Sequence, residues 1–145
     1  MLGYYKDERA TKEVMQNGYF NTGDFGYLDK DNFLFITGRK KNLIILSNGE
    51  NISPEAIEEK LSKDKGVCEV IVYEKNNKLI ASIYPNEEYF GNISYFNGLI
   101  YKYNSKVPKN HQIALVTLRN EEFPKNNNRK ILRNKVMEEE KWKKK

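Results

Sequence analysis

The sequence predicts an α+β fold: a small mixed sheet with flanking helices, preceded by a β-hairpin. Three observations predict it. Two β-rich runs, 67–74 and 78–84, are joined by the turn-forming triplet Lys75-Asn76-Asn77. The apolar residues Tyr89, Ile93, Phe96, Ile100 and Tyr103 recur every three or four positions, the period of one helix face. The segments after residue 40 read strand, helix, hairpin, helix, strand, helix, an order that suits a small α+β domain.

Taken in order, residues 1–20 form an amphipathic lead-in that ends at the turn dipeptide Asn17-Gly18. A short strand at 25–28, the turn Asp29-Lys30-Asp31-Asn32 and a return strand at 33–37 make a hairpin, which Gly38 is expected to break. An apolar run at 42–46 precedes the turn Ser47-Asn48-Gly49. Ser53 is placed to cap a helix with Pro54 at its first position and Glu55 in its first turn, where a negative charge meets the positive end of the dipole. Ile57 and Leu61 share the core face of that helix. The hairpin at 67–84 and the helix at 89–103 follow. Pro108 introduces a strand at 112–118, residues 121–128 are loop, 131–137 are a short helix, and 138–145 are a charged, frayed tail. The organisation expected is a fragment at 1–40, a domain at 41–137 and the tail at 138–145.

Bulk properties exclude several classes. The 145 residues are 39% hydrophobic and 31% charged, and no apolar stretch of about 18 residues is present. The first residues lack the apolar segment of a secretory signal. A single cysteine rules out an internal disulfide and fits a reducing, cytoplasmic location. Net charge is +5 and the pI about 9.1. A lysine-rich surface is the plain explanation; attraction to an anionic partner, nucleotide, coenzyme or nucleic acid, is the sharper one.

Few residues carry chemistry by type alone. With one histidine, His111, any Ser-His-Asp arrangement has only that residue to use, and a solvated strand-edge histidine is the plainer reading. Cys68, in an alternating strand, is expected in the core. One Cys and one His cannot build a usual zinc site, no metal site is expected, and no Walker-type phosphate loop is present. Three polar segments remain. In NTGDFGYLD, residues 21–29, Asp24 is either a turn aspartate or a carboxylate that accepts hydrogen bonds from a ribose diol. In 37–58, Arg39 follows Gly38 and suits a phosphate or ribose. In EFPKNNNRKILR, residues 122–133, a lysine stands in a polar loop just before a helix.

Together these segments resemble the adenylate-forming superfamily, which includes acyl-CoA synthetases, the adenylation domains of peptide synthetases and luciferases. YFNTGDFGYLDKDNFLFITGRKKNLIILSNGENISPEAIE, residues 19–58, is similar to its aspartate, hinge and post-hinge motifs, and FPKNNNRKILR, residues 123–133, to its terminal lysine motif. The wording GRKKNLII and GENISPEAIE, with the EFPK ending, resembles long- or medium-chain acyl-CoA synthetases. The resemblance implies the carboxyl-terminal lid of an ATP-dependent acid–CoA ligase, with residues 1–40 the edge of the large amino-terminal domain.

It also implies roles. Asp24 and Arg39 bind the nucleotide, Lys41 is the hinge, Ser47, Asn48, Gly49 and Glu50 line the thiol path, and Lys130 is catalytic. ATP, Mg2+ and coenzyme A serve the whole enzyme, none bound tightly by this region, and the acid is a small-molecule carboxylic acid, in first place a fatty acid. Two departures stand out: Arg129 occupies the position before the lysine where glycine is usual, and Asn126 one where threonine is common. The partner implied is the missing amino-terminal domain of the same polypeptide, with neither nucleic acid nor a transmembrane segment. Without that domain the chain is expected to make no acyl-adenylate. The other readings are a peptide-synthetase-like lid and, in a different class, a basic nucleic-acid-binding or interaction module.

Overall fold

The computed structural model describes residues 1–142. It comprises two compact units, Met1–Leu43 and a second that begins at Ile44.

The first unit opens with helix α1 (Glu8–Val14), whose amino end is capped by the Asp7 side chain accepting from the Ala10 amide. Two short strands, β1 (Met15–Gln16) and β2 (Tyr19–Phe20), flank Asn17-Gly18. Both turn residues have positive φ, 51° and 82°, as a tight two-residue hairpin requires. Strands β3 (Asp24–Leu28) and β4 (Leu34–Arg39) form the next antiparallel pair. Gly38 does not break it. Gly38 pairs with Phe25, and the strand runs on to Arg39 because Thr37 is taken up as an extra residue at a bulge. No residue of α1, β3 or β4 is buried within this unit, and Tyr27, Phe33, Leu34, Phe35 and Ile36 are exposed.

The second unit has a core of its own. A small hairpin, β5 (Ile44–Ile45) and β6 (Asn51–Ile52), precedes α2 (Pro54–Leu61). Ser53 stands at the cap position of α2 but makes no capping bond; its hydroxyl donates to Glu55 instead. The sheet is three-stranded and mixed: β7 (Val67–Lys75) pairs antiparallel with β8 (Lys78–Pro85), and β8 pairs parallel with β9 (Ile113–Leu118). Helix α3 spans Ile93–Asn104, starting four residues after the Tyr89 expected from periodicity. Gly91 has a φ of +71° and Asn92 caps the helix, so the residues before it take a separate 3-10 turn.

Alternation along β7 sorts its side chains. Val70 and Val72 join one cluster with Leu61, Leu79, Phe96 and Ile113; Ile71 and Tyr73 join another with Phe123 and Val136. The sheet is therefore covered on both faces, by α2 and α3 on one and by α4 (Arg133–Trp142) with the segment before it on the other. The last helix begins two residues later than expected and continues through the stretch read as a frayed tail; residues 143–145 lie outside the described residues. Cys68 is exposed, contrary to a core position. A bulge between Val67 and Glu69 takes it out of the alternation that would have turned it inward.

Candidate functional site

In the first unit the bulge at Thr37 sets one pairing. With regular register, Asp24 would lie across from Gly38; the extra residue brings Arg39 opposite it instead. Arg39 Nε lies 2.7 Å from Asp24 Oδ1, and Arg39 Nη1 donates to the Thr22 carbonyl at 3.2 Å. The loop before Asp24 is fixed by side chains: Asn21 Oδ1 accepts from the Gly23 amide and Thr22 Oγ1 from the Asp24 amide. Gly23, at φ +71°, makes that tight path accessible. The Asp24 side chain keeps 23% of its surface exposed, so its carboxylate remains accessible to a hydroxyl pair. Lys41 is exposed in a 3-10 turn, Lys40–Asn42, that follows β4 directly.

In the second unit, residues 47–50 form the turn of the β5–β6 hairpin, with Gly49 at φ +81°. Glu50 points to a neighbour that sequence reasoning did not find. Its Oε1 lies 2.7 Å from His111 Nε2, and its Oε2 accepts from the side-chain amides of Asn110 and, at 3.3 Å, Asn48. The His111 hydrogen bond holds the Glu50 carboxyl below the usual carboxylate range. His111 is thus a partner of the candidate thiol loop, in a 3-10 turn Lys109–His111, and not a solvated histidine at a strand edge. Sixty-one positions separate the two residues, and no local pattern marks such a pair.

Lys130 sits in a hairpin-like loop closed by a bridge between Lys125 and Ile131. Asn126 organises the loop: its Oδ1 accepts from the amides of Asn128 and Lys130 at 3.0 and 2.9 Å. Arg129 adopts φ +60°, the left-handed region that favours glycine. The Lys130 side chain is exposed and makes no ion pair among the described residues. Lys125, in the same loop, is bound by Glu122 and Glu69, and these contacts raise its pKa. Ile131, next to Lys130, packs with the Phe123 cluster, whereas Leu46, beside residues 47–50, packs with the Phe96 cluster. The two candidate loops are thus anchored to opposite faces of the sheet. The described residues hold no group of three His, Cys, Asp or Glu side chains arranged for a metal ion, and no helix among them is long and apolar enough to cross a membrane.

No protein-family model matches the chain. Among curated proteins, it is 40% identical over 143 residues to the 2-succinylbenzoate–CoA ligase of Listeria monocytogenes serotype 4b, covering 94% of this chain and 29% of that protein. It is 41% identical over 70 residues to the long-chain-fatty-acid–CoA ligase FadD15 of Mycobacterium tuberculosis, covering 48% of this chain and 12% of that one. Among solved structures, the o-succinylbenzoate CoA synthetase (MenE) from Bacillus subtilis, in complex with the acyl-adenylate intermediate OSB-AMP, superposes with a TM-score of 0.78 at 29% identity, covering 92% of this chain and 27% of that one. The A-PCP didomain of carboxylic acid reductase from Segniliparus rugosus, in complex with AMP, has a TM-score of 0.82 at 22% identity, covering 94% of this chain and 21% of that one; this likeness shows the fold alone. The chain thus spans less than a third of the length of each of these proteins.

Proposed function

Because the chain belongs to the adenylate-forming enzymes and has the fold of their carboxyl-terminal domain, we propose that it is the mobile lid of an AMP-forming acid–CoA ligase. The observation that carries the reading is the match to a CoA ligase along nearly the whole chain. The geometry supports a division of labour within it.

In the reaction proposed, a carboxylate oxygen attacks the α-phosphorus of ATP, the bond to pyrophosphate breaks, and an acyl-adenylate forms. The sulfur of coenzyme A then attacks the acyl carbon, AMP leaves with the electron pair of the acyl–oxygen bond, and the thiol proton is released. Asp24 would accept from the ribose hydroxyls, and Arg39 would contact the nucleotide beside it. Lys130 is exposed and has no ion pair among the described residues, so its ammonium is suited to the negative charge that builds at the phosphate. Residues 47–50 would line the thiol path. Anchorage of the two loops on opposite sheet faces supports a lid that presents one to the first step and the other to the second, turning at Lys41. Residues 1–40 would be the edge of the large domain of the same polypeptide, and the exposed apolar side chains of β3 and β4 supply surface for that domain to cover. Magnesium would accompany ATP; the described residues hold no cluster of carboxylate, imidazole or thiol side chains fit for a metal site of their own.

For the acid, the FadD15 match supports a fatty acid. The longer match to 2-succinylbenzoate ligases favours a second reading, an aromatic carboxylic acid. Acid-dependent ATP–pyrophosphate exchange by the intact polypeptide tests the proposal. Lys130→Ala is expected to slow it about a hundred- to a thousandfold, and the 145-residue chain alone is expected to show none. Full exchange in Lys130→Ala would overturn the assignment.

A further inference from the structure

The β5–β6 hairpin has two residues in each strand, too few pairs to hold its turn by themselves. Its path is nevertheless tightly specified. The Leu46 amide donates to the Glu50 carbonyl at 2.9 Å, and the Gly49 amide to the Leu46 carbonyl at 2.8 Å. Two clamps from distant sequence hold this turn. At one end, Asn77, in the β7–β8 turn, donates to Ser47 Oγ at 2.9 Å and accepts from the Ser47 amide at 3.3 Å. At the other, the Glu50 carboxylate takes a ring nitrogen of His111 on one oxygen and the amides of Asn110 and Asn48 on the other. A carboxylate with both oxygens engaged fixes the residue that follows Gly49, whose φ of +81° depends on the chain keeping this one route. The charged group paired with the imidazole is Glu50 from the hairpin; Lys109, two positions before it, and Lys78 from β8 line the cleft beside Ser47 and Asn48.

We propose that His111 is a positioning residue for residues 47–50: its imidazole, with the Asn110 amide, grips the Glu50 carboxylate and thereby holds the Gly49 backbone where a thiol substrate passes. The inference rests on the proposed ligase reading for what passes the loop. It rests on the geometry alone for the grip. A side chain with a nitrogen donor at a similar reach, such as glutamine, keeps the hydrogen bond to Glu50; alanine does not.

Amide hydrogen exchange in the 145-residue chain reads the grip without any activity. Loss of a hydrogen bond to a charged group predicts exchange of the Leu46, Gly49 and Glu50 amides about ten- to a hundredfold faster in His111→Ala, and within about threefold of the parent in His111→Gln. The Ile83 amide, in the central strand of the sheet, serves as the internal control for global unfolding. Unchanged loop exchange in His111→Ala overturns the proposal. In the intact enzyme, His111→Ala is expected to raise the KM for the thiol and slow thioester formation, with ATP–pyrophosphate exchange kept and His111→Gln restoring the thiol step. A loosened loop with an unaltered thiol step overturns the positioning role. A parent enzyme that forms no thioester sinks the ligase reading instead, and leaves the grip standing on the exchange data.

Discussion

Lys125 and Glu69 form an ion pair that ties the loop of residues 122–131 to strand β7. Both side chains are mostly covered, at 17% and 14% exposure. Glu69 also accepts from the Phe123 amide at 3.0 Å, and Glu122 adds a second carboxylate at 2.6 Å from the Lys125 ammonium. Lys130, five positions on, is exposed and has no such partner among the described residues. Two cations in one loop therefore have different physical duties, and substitution separates them. Lys125→Ala is expected to lower the urea midpoint, because Glu69 is left with a covered carboxylate and no counter-charge. Lys130→Ala is expected to leave the midpoint unaltered. Equal midpoints for the two variants would show that the Lys125 pair does not hold the loop.

The Asp24–Arg39 pair is open to solvent on the arginine side, with 52% of that side chain exposed. Such a pair stabilises by about 1 kcal/mol or less. Its value under the proposed function is in binding. Arg39→Ala should therefore cost little stability while weakening nucleotide binding in the intact enzyme about ten- to a hundredfold, the scale of one lost charge-assisted hydrogen bond. Asp24→Asn is expected to weaken it comparably. Isothermal titration with ATP and urea melts on the same variants check the split; a large stability loss with unchanged affinity would assign the pair to the fold instead.

The strands and helices of the second unit were legible because burial imposes a period. Val70 and Val72 face one side and Ile71 and Tyr73 the other, and the sequence shows that run plainly. Turns were legible where Asn or Gly takes a positive φ, as at Asn17-Gly18 and Asn76-Asn77. Bulges were not. A bulge shifts register by one residue without a local signature, and two of them account for Cys68 pointing outward and for β4 running past Gly38. Of the candidate site, Asp24 and Arg39 were readable as motif residues, but their apposition depends on the Thr37 bulge. The grip of His111 on Glu50 joins two loops through tertiary structure alone, so only coordinates could reveal it.

Glu58 and Arg133 join α2 to the start of α4, and Glu58 also accepts from the Val72 amide at 2.6 Å. Burial pushes the Glu58 carboxyl above its usual range, and Arg133 opposes that push. A carboxyl whose folded-state pKa is raised contributes stability that is complete below its ordinary value of 4.5 and is lost as pH rises through the folded value. Removing the opposing cation enlarges this loss. Arg133→Ala is thus expected to destabilise by about 3 kcal/mol near neutral pH and by clearly less at about pH 4, where the carboxyl is protonated. In the Glu58→Gln background the same substitution should show no such pH dependence. Urea midpoints across that range measure it, and a pH-independent deficit would mean that Arg133 does not compensate the Glu58 charge.

Arg129 offers the simplest stabilising change in the chain. Its φ of +60° places an L side chain in the left-handed region, where Cβ crowds the backbone at a cost of about 1–2 kcal/mol. Its side chain is exposed and makes no hydrogen bond among the described residues, and its attraction to the Glu122 carboxyl, itself exposed, recovers little of that cost. Glycine relieves the crowding but adds freedom to the unfolded chain worth about 0.5–1 kcal/mol. Arg129→Gly should therefore stabilise by roughly 0.5–1 kcal/mol, and the Asn126 Oδ1 bonds to the Asn128 and Lys130 amides should persist. Since those bonds fix the backbone that carries Lys130, a tighter loop is expected to raise the urea midpoint and slow exchange of the Lys130 amide together. A lowered midpoint would show that the arginine side chain stabilises the loop by more than its backbone strain costs.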